Sequence, residues 1–211
     1  MTTVIYETNL TVPNEKQIQE FFDYLLDRFP LPNIQKLFIK LQKTKRHYHA
    51  CNASSFTNFS RITMIFGYHF DPLNALLSAA HEYMHVIQAD RGEGEPLMTR
   101  RTTNKRGGNG QETEADIFSV EQLAVFCGIT PVDLLTKNVL HFYNLSVPEI
   151  EKRFGCEIKK KPPISEQEIT EFIAYLKDGK SLQEIYELQN PDLQMVVIAQ
   201  PITGCENRQN G

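Results

Sequence analysis

Two histidines and a glutamate stand together near the middle of the chain, in the run His81-Glu82-Tyr83-Met84-His85. Residues four apart lie on one face of an α-helix, about 40° from each other, so both imidazoles can reach one metal ion. Glu82, about 100° from His81, lies at the rim of such a site. Neutral imidazole suits Zn²⁺, and a neighbouring carboxylate can take a proton from a water molecule as general base. The run therefore predicts a zinc site that hydrolyses a peptide bond, with Glu82 as the base.

The residues around this run predict the helix that carries it. The helix begins after Asp71, a natural N-cap, has Pro72 in its first turn and runs to about Ala89. Its apolar residues fall on the arc opposite the histidines: Leu73, Leu76, Ala80, Tyr83, Met84 and Ile87. We therefore expect an amphipathic helix whose buried face is separate from its metal-binding face.

A catalytic zinc site needs a third protein ligand from elsewhere in the chain. The metzincin class takes it from a histidine that follows a glycine, but Gln88 and Arg91 stand at those two positions and exclude that class. The gluzincin class takes it from a glutamate on a following helix. Residues 111–118, QETEADIF, offer carboxylates at the start of such a helix.

Two glutamates in this segment are candidates for the third ligand. We predict Glu114, because it stands directly before Ala115 and faces the same way as Phe118 and Glu121. Glu112 is the alternative.

The two segments, HEYMH and ETEADIFSVEQL, resemble the ImmA/IrrE family of metallopeptidases. That family has a His-Glu-x-x-His motif and then a helix of the form E-x-E-A-N-x-F-A-x-x-L-L. The matching positions are His81, Glu82, His85, Glu112, Glu114, Ala115, Phe118 and Leu123. Asp116 and Ser119 replace the usual Asn and Ala, and the usual Leu-Leu-Met-Pro ending is absent. The resemblance covers residues 60–127, and it implies a zinc gluzincin fold and the cleavage of helix-turn-helix repressors.

Peptide hydrolysis also needs a group that stabilises the negative charge on the attacked carbonyl oxygen. Tyr68 and His69 end the strand that precedes the metal-binding helix, so we rank them first for this role. Further candidates are Tyr48, His47, His49, His141 and Tyr143.

A long loop, residues 98–110, separates the two ligand segments and holds four basic residues and no acid: Arg100, Arg101, Lys105 and Arg106. Three interpretations of this loop stay open: a mobile lid, a basic strip that binds an acidic substrate or nucleic acid, or a solvated connection.

Residues 145–161 resemble the first helix and turn of a helix-turn-helix unit, but Pro162 and Pro163 cut short the recognition helix. We therefore expect a protein or peptide substrate, with nucleic acid as a less favoured partner.

The periodicity of apolar residues predicts the elements around the site. Before the metal-binding helix it indicates a helix at 14–29 capped by Asn14, strands at 36–42 and 61–70, and a third strand between those two. After it come helices at 111–127, 130–143 and 146–154, a charged break at 159–163, and a helical pair.

The order of these elements predicts an α+β, zincin-like fold. A small β-sheet packs on the metal-binding helix, an edge strand borders the site, and the C-terminal part is mainly helical. We expect a metallopeptidase domain at residues 1–145 and a helical extension with a flexible tail at 146–211.

Composition favours a soluble cytoplasmic protein. The 211 residues are 41% hydrophobic and 23% charged, and a net charge of -4 gives no support for bulk nucleic-acid binding. The four cysteines form no Cys-x-x-Cys pair, which favours free thiols in a reducing compartment. No signal peptide is visible, and no apolar run approaches the ~20 residues of a membrane span, so we expect no membrane contact.

Two other functions stay open on the sequence alone. A protein with this fold can keep the metal without the activity and act as a binding or regulatory protein. A DNA-associated regulator would act through the basic loop and residues 145–161.

Overall fold

Four strands and six helices make up the described part of this computed structural model, which comprises residues 2–8, 14–44, 50–56, 58–66, 71–93, 109–142, 146–160 and 165–180. The strands are β1 (Thr3–Thr8), β2 (Lys36–Lys43), β3 (Ala50–Ser55) and β4 (Phe59–Phe66). The helices are α1 (Glu15–Arg28), α2 (Pro72–Asp90), α3 (Asn109–Cys127), α4 (Pro131–Lys137), α5 (Val147–Phe154) and α6 (Glu166–Lys177). The α+β class predicted from the sequence is confirmed.

The sheet combines three parallel strands with one antiparallel edge strand, in the order β1-β2-β4-β3. β1 and β4 both run parallel to β2, whereas β3 pairs antiparallel with β4. Alternate residues of β2 and β4 are buried, as expected for a sheet with one face on the core: Leu37, Ile39, Leu41, Ser60, Ile62, Met64 and Phe66. β3 also packs against α2, so an edge strand does border the metal-binding helix.

β1 is a strand that the sequence did not predict. Its six residues, TVIYET, are too few for a strong alternating pattern. Its partner β2 lies beyond α1 along the chain, and Thr3 pairs with Lys36. Pairing over this sequence distance is decided by tertiary packing, which a local pattern does not report.

α1 has the bounds that the periodicity predicts. Its inner face is buried in the core through Ile18, Phe21, Phe22 and Leu25. Asn14 stands at the N-cap position, but its side chain makes no capping hydrogen bond and its φ is 56°. Asn tolerates this left-handed conformation better than most residues. The predicted boundary residue is therefore correct, but Asn14 marks the start of the helix by its backbone conformation and not by a capping hydrogen bond.

α2 begins as predicted, because Asp71 accepts hydrogen bonds from the backbone N–H groups of Leu73 and Asn74. The expectation of an amphipathic helix is wrong, however, because both of its faces are covered. His81 and Glu82 are only 7% and 9% exposed. Since α1, α3, β3 and β4 all pack around α2, the face that carries His81 and His85 lies inside the protein.

α4 ends earlier than predicted. The sequence favoured a helix over residues 130–143, but the backbone is extended at Asn138. The buried Asn74 of α2 accounts for this, because its side-chain amide donates to the carbonyl of Val139 and accepts from the N–H of His141. The backbone after α4 thus finds hydrogen-bond partners in α2 instead of in a longer helix.

The chain divides into two units, Met1–Lys161 and Pro162–Gly211. The first holds the sheet, α1 to α5 and the described hydrophobic core, including Ile150 of α5. The division therefore lies beyond the expected boundary at residue 145, because α5 packs on α3. Of the expected helical pair in the second unit, α6 is observed, and the second helix and the tail lie outside the described residues.

In the described ranges, no single helix is long and apolar enough to cross a bilayer. α3 and α4 taken together have the required length and apolar character, but the chain bends by 99° between them.

Candidate metal centre

Two adjacent helices bring three metal-ligand atoms together inside the first unit. His81 and His85 lie one turn apart on α2, with their Nε2 atoms 3.1 Å from each other. Glu112, in the first turn of α3, places its Oε2 atom 3.3 Å from Nε2 of His81 and 3.5 Å from Nε2 of His85. Three ligand atoms at zinc-ligand distances on a tetrahedral ion are about 3.3–3.6 Å apart, so this triangle is close to the size that zinc needs.

The third corner of the triangle is Glu112, and not Glu114 as predicted. Glu112 and Asp116 are four residues apart and share one face of α3, whereas Glu114 lies about 200° round the helix from Glu112. The Glu114 side chain is 46% exposed. It lines a separate surface cavity of about 730 Å³, together with Met84 and Ile87 of α2. Helix geometry thus selects between two glutamates with the same chemistry.

Asp116 holds the ring of His81 in place. Its Oδ1 atom lies 2.7 Å from Nδ1 of His81, and the residue is 4% exposed. Nδ1–H donates to this carboxylate, so Nε2 is the atom available to a metal. This role of Asp116 was not predicted. The four-residue spacing from Glu112 was the signal for it, because that spacing places a ligand and a supporting acceptor on one helix face.

In the metal-free cluster the same atoms share protons. Burial alone lowers the pKa of His81, but hydrogen bonds to Asp116 and Glu112 outweigh it and raise that pKa to about 9. The hydrogen bond from His81 is the largest of the effects that hold the pKa of Glu112 well below its usual range. Because metal ligands must be neutral imidazole and ionised carboxylate, a cation and a proton compete for His81.

Glu82 connects the cluster to the edge strand. Its carboxylate accepts a hydrogen bond from the backbone N–H of Ala53 on β3. Burial raises the pKa of Glu82 above its usual value, although the two neighbouring histidines and the Ala53 N–H lower it in part. A buried carboxylate beside two imidazoles, with its pKa raised by burial, is a stronger proton acceptor than an exposed one and can act as a general base.

β3 presents a strand edge beside this cluster. Among the described strands it pairs only with β4. In an antiparallel pair, the backbone groups of alternate residues point away from the partner strand, and the Ala53 N–H that reaches Glu82 is one of these. Cys51 lies two residues earlier on β3, and burial together with the charge of Glu82 raises the pKa of its thiol. Burial therefore favours the neutral form of this thiol in the metal-free protein.

Several predicted site residues lie outside the described residues. They are the first-ranked oxyanion candidates Tyr68 and His69, the alternatives Tyr48, His47, His49 and Tyr143, and the basic loop up to residue 108. His141 is described and exposed. Its backbone N–H is held by Asn74, two turns before His81 on α2, so His141 lies away from the metal-ligand triangle.

Comparisons of the chain with protein-family models, with curated proteins and with solved structures find no match. What this site can do follows from its own residues. They are two imidazoles and a carboxylate that can hold a cation, a buried carboxylate next to them, and a strand edge alongside.

Proposed function

We propose that the protein is a zinc-dependent peptidase of the gluzincin type. His81, His85 and Glu112 hold the ion, and Glu82 is the general base. The observation that carries this proposal is the triangle of three ligand atoms, with sides of 3.1, 3.3 and 3.5 Å.

The donor set favours zinc over Ca²⁺ and Mg²⁺. Imidazole nitrogen and carboxylate oxygen are ordinary zinc ligands, and catalytic zinc sites keep three protein ligands with a fourth position open. Ca²⁺ and Mg²⁺ prefer all-oxygen sets with more ligands. Each histidine also donates its Nδ1–H to a fixed oxygen, on Asp116 for His81 and on Gln88 for His85, which keeps Nε2 for the metal.

A single residue, Glu82, carries out both proton transfers of the proposed hydrolysis. A zinc ion held by these three residues would supply Lewis acidity, which would make a water molecule more acidic and polarise a carbonyl oxygen. Glu82 takes a proton from the attacking water and passes it to the leaving amine. The raised pKa of Glu82 suits the first of these steps, because it makes the carboxylate a stronger proton acceptor.

The edge strand β3 supports a peptide as the substrate. An extended peptide can add to an open strand edge through backbone hydrogen bonds, and this edge runs beside Glu82. A mixed sheet with an antiparallel edge strand next to the two-histidine helix is also the arrangement expected of a zincin. The similarity to the ImmA/IrrE pattern supports a protein of the regulator type, such as a helix-turn-helix repressor, as the substrate.

Tyr68 and His69 are our proposed oxyanion stabilisers. They stand in the chain between the end of β4 and the start of α2, the helix that carries the two histidines. We expect Tyr68→Phe or His69→Ala, whichever removes the residue that stabilises the oxyanion, to lower kcat by about 10²–10³-fold without lowering the zinc content.

Metal content tests the proposal first. Wild-type protein purified without chelator or histidine tag contains about one zinc per chain by mass spectrometry, and His85→Ala contains none. Glu82→Gln keeps its zinc but no longer hydrolyses a denatured protein substrate, because Glu82 is the base and not a ligand. Wild type that binds no zinc even after reconstitution overturns the proposal. Zinc without turnover on any protein, repressors included, indicates an inactive zincin-fold binding protein instead.

A further inference from the structure

Gln88 is a buried polar residue one turn beyond His85 on α2. It is only 2% exposed. Its Oε1 atom lies 2.8 Å from Nδ1 of His85, while its Nε2 atom lies 2.9 Å from Oε2 of Glu114 and 3.2 Å from the carbonyl oxygen of Gln111. Gln88 therefore connects the second histidine of the cluster to the first turns of α3.

The partners of the amide nitrogen decide which way the Gln88 side chain faces. An ionised carboxylate and a backbone carbonyl accept hydrogen bonds and donate none. If the amide were turned over, its oxygen would face these two acceptors, and neither hydrogen bond could form. The oxygen of Gln88 must therefore face His85.

This orientation decides which nitrogen of His85 carries the hydrogen. An amide oxygen only accepts, so Nδ1 of His85 carries the hydrogen and donates it. The lone pair of the neutral ring then belongs to Nε2, the atom that lies 3.1 Å from Nε2 of His81 and 3.5 Å from Oε2 of Glu112. The ring is presented to the triangle in the tautomer that binds a cation.

We infer that Gln88 is the positioning residue of His85, and that Glu114 acts on the metal site through Gln88 by fixing its amide. The effect on metal affinity rests on the proposed zinc site, whereas the effect on the ring of His85 does not. Gln111 supports the same arrangement, since its side chain donates to the carbonyl of Glu93 at 2.7 Å and ties the start of α3 to the segment after α2.

A double-substitution cycle, read as zinc affinity in competition with a coloured chelator, tests whether the two residues act in series. Gln88→Met keeps the side-chain length, removes both hydrogen-bonding ends, and weakens zinc binding by ~10- to 100-fold. Glu114→Ala weakens it by a smaller factor, because the Gln111 carbonyl still holds the amide. In the Gln88→Met background, Glu114→Ala has no further effect on zinc affinity, because methionine has no amide through which Glu114 could act on His85.

Glu121→Ala is the matched control. Glu121 is also an acid on α3 that lines the same surface cavity, but it pairs with Arg153 and not with Gln88. Its removal leaves zinc affinity unchanged. Three results overturn the inference: unchanged affinity in Gln88→Met, effects that multiply in the double variant, or complete loss of zinc in Glu114→Ala alone, which would make Glu114 a ligand.

Nitrogen-15 NMR of the histidine rings in metal-free protein gives a readout independent of zinc and of turnover. The chain has six histidines, and the signals of His85 are those missing from His85→Gln. Wild type and Glu121→Ala show the Nδ1–H tautomer at His85, and Gln88→Met shows a shift toward Nε2–H. An Nε2–H ring in wild type overturns the inference, whatever the zinc content.

The two readouts separate this inference from the proposed function. Wild type that shows the Nδ1–H tautomer but binds no zinc overturns the peptidase and supports the positioning of His85 by Gln88. If Gln88→Met does not fold, Glu114→Ala at its exposed position must still weaken zinc binding. Unchanged binding in that variant overturns the inference.

Discussion

At the scale of single residues, two glutamates within one turn of α3 have different roles because they meet different partners. Glu112 contacts two imidazoles, and Glu114 contacts the amide of Gln88 and lies 3.9 Å from Arg91. The side chains are the same, so the difference lies in the direction in which the helix points each of them.

Matched substitutions at these two positions should differ in their effect on zinc. Glu112→Gln removes the charged ligand and lowers zinc affinity by more than the roughly 100-fold typical of a lost outer hydrogen bond. Glu114→Gln keeps an oxygen that accepts from Gln88, so it changes the affinity by less than about 10-fold. Calorimetric titration with zinc checks both values. The reverse ranking would show that α3 presents its other face to the histidines.

The raised pKa of His81 makes the stability of the metal-free protein depend on pH. The pKa is about 9 in the folded protein, against 6.5 for an ordinary histidine. Because the folded state holds this proton more tightly than the unfolded chain, the stabilisation is fully present below about pH 6.5 and is lost as the pH rises through about 9. Chemical denaturation in chelator should show the free energy of unfolding falling across that window. His81→Gln should lack this part of the fall, and parallel curves for the two proteins would contradict the raised pKa.

At the scale of elements, α2 is the helix on which the site depends. It carries both histidines and Glu82, the proposed base, and it is enclosed by α1, α3, β3 and β4. Its first turn is held by Asp71, whose Oδ1 atom accepts from the N–H groups of Leu73 at 2.9 Å and Asn74 at 3.1 Å. The start of this helix is therefore fixed by a cap at the surface, while its middle is fixed by packing.

Removing that cap should cost stability without removing a ligand. Asp71→Ala lowers the free energy of unfolding by ~0.5–2 kcal/mol, because two backbone N–H groups lose their acceptor. Asp27→Ala, at an exposed position on α1, should change it by less than about 0.5 kcal/mol. Urea denaturation of both variants in chelator measures the difference. Equal effects at the two positions would mean that the cap contributes nothing specific.

At the scale of the whole molecule, the candidate centre belongs to one unit of the chain. The three proposed ligands, the proposed base and the described hydrophobic core all lie within Met1–Lys161. The helices that carry the proposed ligands, α2 and α3, also pack on each other within that unit. Zinc binding is therefore a property expected of the first unit by itself.

Removal of residues 162–211 should leave zinc binding intact. A chain that ends at Lys161 should bind zinc within about 3-fold of the full-length affinity and should unfold in one cooperative transition, because it retains the whole described core. Zinc titration and thermal unfolding of the shortened chain check this. A loss of zinc affinity on removing the second unit would show that it contributes to the site.

The sequence by itself determined the elements whose pattern is local. The apolar periods of α1, α2, β2 and β4 report which residues face the core, and Asp71 with Pro72 marks the start of α2. The placing of His81 beside His85 is local in the same sense, because residues four apart on an α-helix always lie on the same face.

Only the tertiary structure decided the features that depend on two distant segments. The rotation of α3 about its axis relative to α2 places Glu112, and not Glu114, beside the two histidines. Tertiary packing also pairs β1 with β2. α4 ends where the side chain of Asn74 forms hydrogen bonds with the backbone that follows it. The tertiary structure also buried the face of α2 that carries the histidines, whereas the sequence predicted burial only for the opposite, apolar face. The physical reason is common to all of these: a local pattern gives the angle of a side chain about its own helix or strand, whereas its partner depends on how that element is packed against another.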